Sequence, residues 1–308
     1  MGYKLAGYHH LGGVELDKRI AKVYKENHSP EHLYVEDIRA FNQRDDLPDS
    51  LYNLDLLDGS PPCSSFSMAG NREKDWGKSK VFQEGQAKQV LDDLVYVYAQ
   101  TIKKLQPKVA ILENVKGLIN GNAKQYAKEI KKRITAAGYR TQVFLLNAAT
   151  MGVPQVRERV FFICLRNDID LPRLELDFNE SPILYREIED LNDTEDVFLG
   201  PVSDLVWPKV PKGNAFSIEA GPSNLFSHYK VTPEKSLLTI VSGSGYYHYK
   251  VKRHLNANEL TLAGSFPSDY KYLTDKRGAI QNIVGMSVPP VMTARIADQI
   301  YKQWLCFT

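Results

Sequence analysis

The stretch Gly59-Ser60-Pro61-Pro62-Cys63-Ser64-Ser65-Phe66-Ser67 follows an apolar run, Leu54-Asp55-Leu56-Leu57-Asp58, that is typical of a buried strand. A glycine and two prolines end such a strand because proline cannot donate a ladder hydrogen bond. Cys63 is therefore expected on a loop at the carboxyl end of a strand, the edge where open α/β sheets bind ligands. A small buried cysteine in a turn is the competing interpretation.

The composition is that of an ordinary globular chain. The 308 residues carry a net charge of +2, so any basic surface must be local. The three cysteines, Cys63, Cys164 and Cys306, are far apart and match no metal spacing. This pattern predicts a reducing compartment, no disulfide framework and no metal site. Without a membrane-length apolar run or a signal peptide, we expect a cytoplasmic protein with no membrane partner.

Strand and helix patterns alternate through the first half of the chain. Apolar runs predict strands at residues 8–16, 32–35, 54–58, 109–112, 141–146 and 159–165. Helical stripes cover Gln83 to Leu105 and Ala123 to Ala137, and Asp17 can cap an earlier helix. The alternation predicts an α/β fold of the doubly wound, parallel, Rossmann-like type.

Acidic residues lie at the ends of four of the predicted strands. They are Glu15, Asp37, Asp58 and Glu113. A carboxylate just past a strand suits ribose hydroxyls, and a second one can accept from an adenine amino group. Four in series favour a nucleoside-type ligand. For any single one, a helix N-cap or a solvated loop end is the alternative.

The regular pattern stops near residue 168 and returns near residue 256. The intervening segment is acidic at first, and basic and aromatic towards Tyr246-Tyr247-His248-Tyr249-Lys250. Cations interleaved with aromatics suit phosphate contacts and base stacking. An edge strand with solvated lysines explains the same pattern. We expect an α/β domain over 1–167, a smaller irregular domain over 168–255, and a segment over 256–308 that returns to the first domain.

Three motifs in a fixed order carry a family resemblance. With Pro61-Pro62-Cys63, Glu113-Asn114-Val115 and Gln155-Val156-Arg157-Glu158-Arg159, the chain resembles the cytosine-5 DNA methyltransferases of prokaryotic and phage type. Further matches extend it over almost the whole chain. They are Glu15, Asp37-Ile38, Arg253 to Glu259 with Phe266 to Asp269, and Gly285 to Pro290.

The resemblance implies a DNA (cytosine-5-)-methyltransferase of the EC 2.1.1.37 type, which uses S-adenosylmethionine and acts on duplex DNA after flipping the target base. Residues 1–167 would form the catalytic and cofactor-binding domain and 168–255 the target-recognition domain. We expect a monomer, with a second chain that supplies a missing first strand as the alternative.

The resemblance implies roles for four residues, and the chemistry of the reaction explains why these residue types are needed. Cytosine C5 is a poor nucleophile, and a Cys63 thiolate that adds at C6 turns the ring into an enamine whose C5 can attack a methyl group. A protonated or hydrogen-bonding Glu113 would interact with N3 and the exocyclic amine, and Arg159 would stabilise the charge that develops at O2. Arg157 would bind backbone phosphate or hold the Cys63 loop.

The resemblance also implies two sets of binding residues. The cofactor set is Glu15, Leu16, Asp37, Ile38, Pro61, Ser287 and Val288. The DNA set is Ser65, Arg72, Gln155 and Arg253. The loop from Ser64 to Lys80 is expected to be a mobile cover over the flipped base.

The chain departs from the family pattern at two points. Met286 stands where the family usually has Asn. The family's first strand and its Phe-x-Gly-x-Gly-Gly loop have no counterpart, and residues 1–7 match the helix after that loop. A start codon placed too late, a truncation and a split enzyme each explain this, and we favour the first. Two further hypotheses stay open: a catalytically silent or split-subunit DNA-binding member, and an RNA cytosine-5 methyltransferase.

Overall fold

The computed structural model describes residues 1–61, 93–120, 123–221 and 224–308. Its helices are α1 (Gly2–Leu5), α2 (Lys18–His28), α3 (Ile38–Gln43), α4 (Leu94–Leu105), α5 (Lys124–Ala136), α6 (Pro201–Val206), α7 (Ser217–Ala220), α8 (Ala257–Ala263), α9 (Arg277–Met286) and α10 (Pro290–Gln303). Its strands are β1 (Gly12–Val14), β2 (His32–Tyr34), β3 (Leu56–Gly59), β4 (Val109–Val115), β5 (Tyr139–Asn147), β6 (Glu158–Arg166), β7 (His228–Lys230) and β8 (Gly245–Tyr247).

These elements cluster into two compact units. The sheet unit comprises His10–Leu146, Glu158–Glu175 and Gln299–Thr308. The second unit comprises Met1–His9, Asn147–Arg157 and Leu176–Asp298. The functional division of the chain at residues 168 and 256 remains a prediction.

The sheet unit contains a two-stranded and a four-stranded sheet. β1 pairs with β2 in parallel, and the larger sheet has the order β3-β4-β6-β5. The α/β alternation is as predicted, and the expected parallel pairing is present for β1 with β2 and for β3 with β4. β6 runs antiparallel to β4. β5 and β6 follow each other without an intervening α-helix, and a parallel connection needs such a crossover, so the prediction of an all-parallel sheet overlooked a local sign of the reversal.

The core of the larger sheet explains why β4 is a continuous apolar run. Six of its seven residues are buried, Val109 through Asn114. Its apolar side chains pack with Ile102 of α4, Ile130 of α5 and Phe162 of β6. A strand covered on both faces has no polar side, which is the pattern the sequence predicted.

The residues that begin and end the helices have the conformations and contacts predicted from the sequence. Asp17 caps α2 by accepting from the amides of Arg19 at 2.8 Å and Ile20 at 3.5 Å. Gly138 follows α5 with φ +98°, a left-handed conformation that favours glycine. The N-terminal helix is likewise followed by Gly7 at φ +84°.

The second unit has its own core and places much of the basic and aromatic segment inside it. Tyr246 and Leu255 belong to that core, together with residues of α8 and α9. Lys230 is 6 % exposed, and its ammonium donates to the carbonyls of Trp207 and Val210 at 2.9 and 3.1 Å. Lys230 is therefore a structural residue in this arrangement and is not available to a phosphate.

Within the described ranges, every helix is too short or too polar to serve as a bilayer span. In the same ranges, His, Cys, Asp and Glu side chains nowhere gather in a group of three that could bind a metal ion.

Candidate active site

The antiparallel pairing of β4 and β6 joins two of the predicted catalytic side chains. Val115 lies opposite Arg159, and Glu113 lies opposite Phe161. Because side chains alternate along a strand, Glu113 and Arg159 share one face of the sheet as diagonal neighbours. The Nε atom of Arg159 lies 3.0 Å from Oε1 of Glu113, and the two side chains are only 14 % and 11 % exposed.

Burial sets the electrostatics of this pair. It lowers the pKa of the Arg159 guanidinium, and the charge and hydrogen bond of Glu113 oppose that shift only in part. Both side chains thus sit in a place of low dielectric constant, where a hydrogen bond to a charged group is strengthened. The pair presents a carboxyl group and a guanidinium side by side.

Asn114 ties this strand to the start of the cysteine loop. Its Nδ2 donates to the carbonyl of Pro61 at 3.1 Å, its Oδ1 accepts from the amide of Val115 at 2.9 Å, and the residue is 4 % exposed. Pro61 is the last described residue before the segment that contains Cys63. The position from which that loop departs is therefore held by a buried side chain next to Glu113.

A second ion pair lies beside the first. Lys116 follows β4, and its ammonium lies 2.8 Å from Oε2 of Glu158 at the start of β6. The Nη1 of Arg159 donates to the Glu158 carbonyl at 2.8 Å. These contacts join the end of β4 to the beginning of β6, where Glu113 and Arg159 meet.

The predicted cofactor residues Glu15 and Asp37 follow neighbouring strands. β1 and β2 are parallel with Val14 opposite Tyr34, so both carboxylates lie after the carboxyl ends of paired strands. Burial raises the pKa of Glu15, although its carboxylate accepts the amide of Asp17 at 2.8 Å. Asp37 caps α3 and forms an ion pair with Arg39 at 3.2 Å.

This arrangement fits one end of S-adenosylmethionine. A carboxylate offers about four acceptor positions, so Glu15 can bind ribose hydroxyls while it accepts the Asp17 amide. Leu16 and Ile38 are partly buried, and Ile38 packs against Leu94 and Val97 of α4. For Asp37, the capping role that was the alternative reading is present in the structure.

Ser287 and Val288, also predicted to bind the cofactor, belong to the second unit. Both are partly buried, and the Ser287 hydroxyl donates to the Ile283 carbonyl at 2.7 Å at the end of α9. Their role toward the cofactor stays a prediction.

Arg157 and Gln155 are buried in the second unit, each 1 % exposed. The guanidinium of Arg157 donates to the carbonyls of Ile240 at 3.0 Å and Gly285 at 2.8 Å. Gln155 donates to the carbonyl of Ala263 at 3.1 Å and accepts from the Ile240 amide at 3.0 Å. These contacts favour structural roles over the predicted catalytic or phosphate role of Arg157 and the DNA-binding role of Gln155.

Arg253, predicted to bind DNA, is also interior. Its side chain is 3 % exposed and contacts the fully buried Glu259 at 2.8 and 3.0 Å. Further bonds reach the carbonyls of Asp193 at 2.9 Å and His254 at 3.0 Å. These internal acceptors occupy the guanidinium donors of Arg253, so the contacts favour a structural role.

The remaining predicted site residues, Cys63, Ser65 and Arg72, lie outside the described residues, as does Pro62. Their roles stay predictions based on the sequence.

Comparison with known protein families identifies the family of this chain. The model of the C-5 cytosine-specific DNA methylase family matches residues 1–200. The chain belongs to this family. Its members use S-adenosylmethionine and act on DNA.

Relatives of the methylase chain are restriction-modification enzymes and phage proteins. The type II methyltransferase M1.HphI of Haemophilus parahaemolyticus is 26 % identical over 98 % of this chain and 83 % of its own length. M.DdeI of Desulfomicrobium norvegicum is 30 % identical over 74 % of this chain, but the match spans only 53 % of M.DdeI. The orphan methyltransferase M.SPRI of Bacillus phage SPR is 35 % identical over 58 % of this chain and 38 % of its own length.

Solved structures confirm the predicted fold. A DNA modification methyltransferase described from an Escherichia coli prophage superposes with a TM-score of 0.68 at 17 % identity, over 98 % of this chain and 94 % of its own. Spodoptera frugiperda DNMT2 superposes with a TM-score of 0.64 at 19 % identity, over 97 % and 95 % of the two chains. At these identities the likeness concerns the fold alone.

Two features of the methylase site were not predicted from sequence. Asn114 was quoted only as part of a motif, although an amide beside a catalytic carboxylate is a candidate for holding a neighbouring loop. The pair of Lys116 and Glu158 left no sequence signal, because its partners come together only through the antiparallel pairing of β4 with β6.

Proposed function

We propose that this chain transfers a methyl group from S-adenosylmethionine to C5 of cytosine in duplex DNA. The observation that carries the proposal is the buried pair of Glu113 and Arg159, with Nε and Oε1 3.0 Å apart. Asn114, which follows Glu113, donates to the carbonyl of Pro61, and Cys63 is two positions further along the chain. A nucleophile, an acceptor and a cation are thus supplied by three motifs.

The chain's own residues supply the activation of the base. The Cys63 thiolate forms a bond to C6, and the displaced electron pair moves toward C5, N3 and O2. Arg159 stabilises the charge at O2. Glu113 in its protonated form donates to N3, and its other oxygen accepts from the exocyclic amine. After methylation, a base removes the C5 proton, the C6–S bond breaks and the thiolate is regenerated.

The cofactor and the substrate impose two further demands on the chain. S-adenosylmethionine supplies an electrophilic methyl group when bound, and Glu15 with Asp37 would hold its nucleoside end. C6 of cytosine is inaccessible in a stacked duplex, so the target nucleotide must leave the helix. The buried position of Glu113 and Arg159 supports this, because a flipped base there would be shielded from water.

The first test replaces the nucleophile. Cys63→Ser is expected to reduce methyl transfer to background while duplex binding persists, because a serine hydroxyl is not appreciably ionised. The matched control is Cys306→Ser, since Cys306 is exposed and lies outside the proposed site. Transfer of labelled methyl groups to DNA is measured with gel-shift binding in parallel. Turnover by Cys63→Ser at the Cys306→Ser rate contradicts the proposal.

The second test traps the covalent adduct. Duplex DNA with 5-fluorocytosine at the target should form a denaturant-stable complex, because fluorine cannot leave C5 as a cation. Cys63→Ser should form none, and Cys306→Ser should form as much as the wild type. Competition between duplex DNA and structured RNA distinguishes this proposal from an RNA methyltransferase. Calorimetry of S-adenosylmethionine binding distinguishes it from a catalytically silent DNA-binding member.

A further inference from the structure

The guanidinium of Arg159 is held at two of its three nitrogen atoms. Its Nε lies 3.0 Å from Oε1 of Glu113, and its Nη1 donates to the backbone carbonyl of Glu158 at 2.8 Å. Among the residues that the structure describes, Nη2 has no acceptor. Because the guanidinium is planar and rigid, contacts at two corners also orient the third. The direction of Nη2 therefore depends on the position of the Glu158 carbonyl.

Glu158 lies at the end of the strand that carries Arg159. It is the first residue of β6, and Arg159 is the second. The chain passes from the second unit to the sheet unit between Arg157 and Glu158. The pairing of β4 with β6 reaches only to Val115 opposite Arg159. Because strands fray where their pairing stops, Glu158 needs another contact to keep its position.

An ion pair with Lys116 supplies that contact. Lys116 is the first residue after β4, and its Nζ lies 3.0 and 2.8 Å from the two carboxylate oxygens of Glu158. In an antiparallel register, the residue after Val115 stands opposite the residue before Arg159. The ion pair therefore extends the cross-strand contacts by one position, directly beside Arg159.

Glu158 contacts the Arg159 side chain through its backbone and not through its carboxylate. The two residues are consecutive in a strand, so their side chains point to opposite faces of the sheet. The carboxyl group that Arg159 contacts belongs to Glu113, and the atom of Glu158 that it contacts is the carbonyl oxygen. A displacement of Glu158 would therefore move an acceptor of the guanidinium without offering it a second carboxylate.

We propose that Lys116 is a positioning residue for methyl transfer. By holding Glu158 at the end of β6, it fixes the carbonyl that orients Nη2 of Arg159 as the donor to O2 of cytosine. Negative charge develops on O2 while the thiolate adds at C6, and a donor that is fixed beforehand needs no reorganisation at that moment. Lys116 itself touches neither the base nor the cofactor. The proposal rests on the proposed function, in which Arg159 stabilises O2.

The test measures the rate of methyl transfer in a single turnover. Lys116→Gln should slow it by about fivefold, because an ion pair of two half-exposed side chains shifts the balance between ordered and frayed strand ends by no more than that. The affinities for duplex DNA and S-adenosylmethionine should stay within about twofold. The matched control is Lys108→Gln, which removes an ion pair with Asp55, 2.9 Å long, at the other end of β4. Equal slowing by both variants overturns the proposal.

Variants of the partner separate positioning from a direct contact of Lys116 with DNA. Glu158→Gln should slow transfer as much as Lys116→Gln does, and the double variant should be no slower than either, because all three lack the same pair. Combining Lys116→Glu with Glu158→Lys restores opposite charges and should recover most of the wild-type rate. If Lys116→Gln alone slows transfer and also weakens duplex binding, the ammonium contacts DNA and the proposal is wrong.

A measurement without substrate separates this proposal from the proposed function. NMR of the free protein follows the Nε proton of Arg159, which is identified by its loss in Arg159→Lys. Its exchange with solvent should be faster in Lys116→Gln than in the wild type and unchanged in Lys108→Gln. Unchanged exchange in Lys116→Gln overturns the positioning role. Faster exchange in a protein without methyl transfer upholds the positioning of Arg159 by Lys116 and counts against the proposed function.

Discussion

At the scale of single residues, polar side chains that bridge separate parts of the chain matter most to the methylase site. Glu113 and Arg159 form the buried pair that would face the cytosine ring, and the side chain of Asn114 donates a hydrogen bond to the carbonyl of Pro61. Each is positioned by contacts that depend on strand pairing. Substitutions there should change turnover more than they change ligand binding.

Asn114→Ala should lower kcat about fivefold. The lost hydrogen bond to Pro61 is worth about 1 kcal/mol, and without it the Cys63 loop is held less firmly for attack on C6. KM for S-adenosylmethionine should stay within about twofold, because the contacts of Glu15 and Asp37 are unchanged. Steady-state kinetics of methyl transfer measure both values.

The control for this prediction is Asn120→Ala, an amide on an exposed position in the same region of the chain. It should leave both kinetic constants close to those of the wild type. A rise in KM with unchanged kcat for Asn114→Ala would assign the residue to binding instead of positioning.

At the scale of elements, short-range signals determine where helices begin and end. Asp17 starts α2, Asp37 starts α3, and Gly138 follows α5. These capping contacts involve the backbone of residues close along the chain, so they can be predicted from the sequence. Strand pairing is different, because it joins residues that are distant along the chain.

Asp17→Ala should reduce the free energy of unfolding by about 1 kcal/mol. The substitution removes the carboxylate that accepts from the Arg19 amide at 2.8 Å and leaves that donor without its cap. Urea unfolding at unchanged m-value measures the effect. Asp17→Asn keeps an oxygen acceptor and should lose only a few tenths of a kcal/mol. Equal losses for both variants would show that charge, and not capping, is responsible.

At the scale of the whole molecule, buried polar contacts support the second unit from within. Glu259 is fully buried and accepts from Arg253, from the Tyr185 hydroxyl at 2.7 Å and from the Asp190 amide at 3.1 Å. Burial alone would raise the pKa of Glu259, but the hydrogen bonds from Arg253 and Tyr185 outweigh it and lower the pKa. Segments that are distant in sequence therefore meet at one carboxylate.

Glu259→Gln should destabilise the second unit by about 3 kcal/mol, because the buried charge of Arg253 loses its main partner. Since the folded-state pKa lies below the unfolded value, the stabilisation is complete above the unfolded pKa of about 4.3 and is lost as pH falls through the folded value. The variant should lack this acid-dependent loss. Calorimetry at pH 7 and at pH values below 4.5 measures both effects.

The matched control for Glu259→Gln is Glu219→Gln on α7, at an exposed position. A surface substitution of this kind should change stability by less than about 0.5 kcal/mol. If Glu259→Gln behaved like the control, Arg253 would have found another counter-ion, and its predicted contact with DNA would become plausible again.

Much of the fold was predictable from the sequence, and less of the site. The buried strand that ends at Glu113-Asn114, the capped helix after Asp17 and the α/β class each follow from local patterns. The pairing of β6 with β4 does not, because the residue pattern of a strand is the same whichever neighbour it pairs with. The predicted binding roles of Arg253 and Gln155 rested on residue type, which does not reveal burial.

By itself, the sequence determined the α/β class, the order of the methylase motifs and the family, because these depend on residue types and local periodicity. Only the tertiary structure decided that Glu113 meets Arg159 and that Asn114 holds Pro61. The physical reason is that the energy of a charged or amide side chain depends on which partners reach it. Those partners come from strands and helices that are remote along the chain.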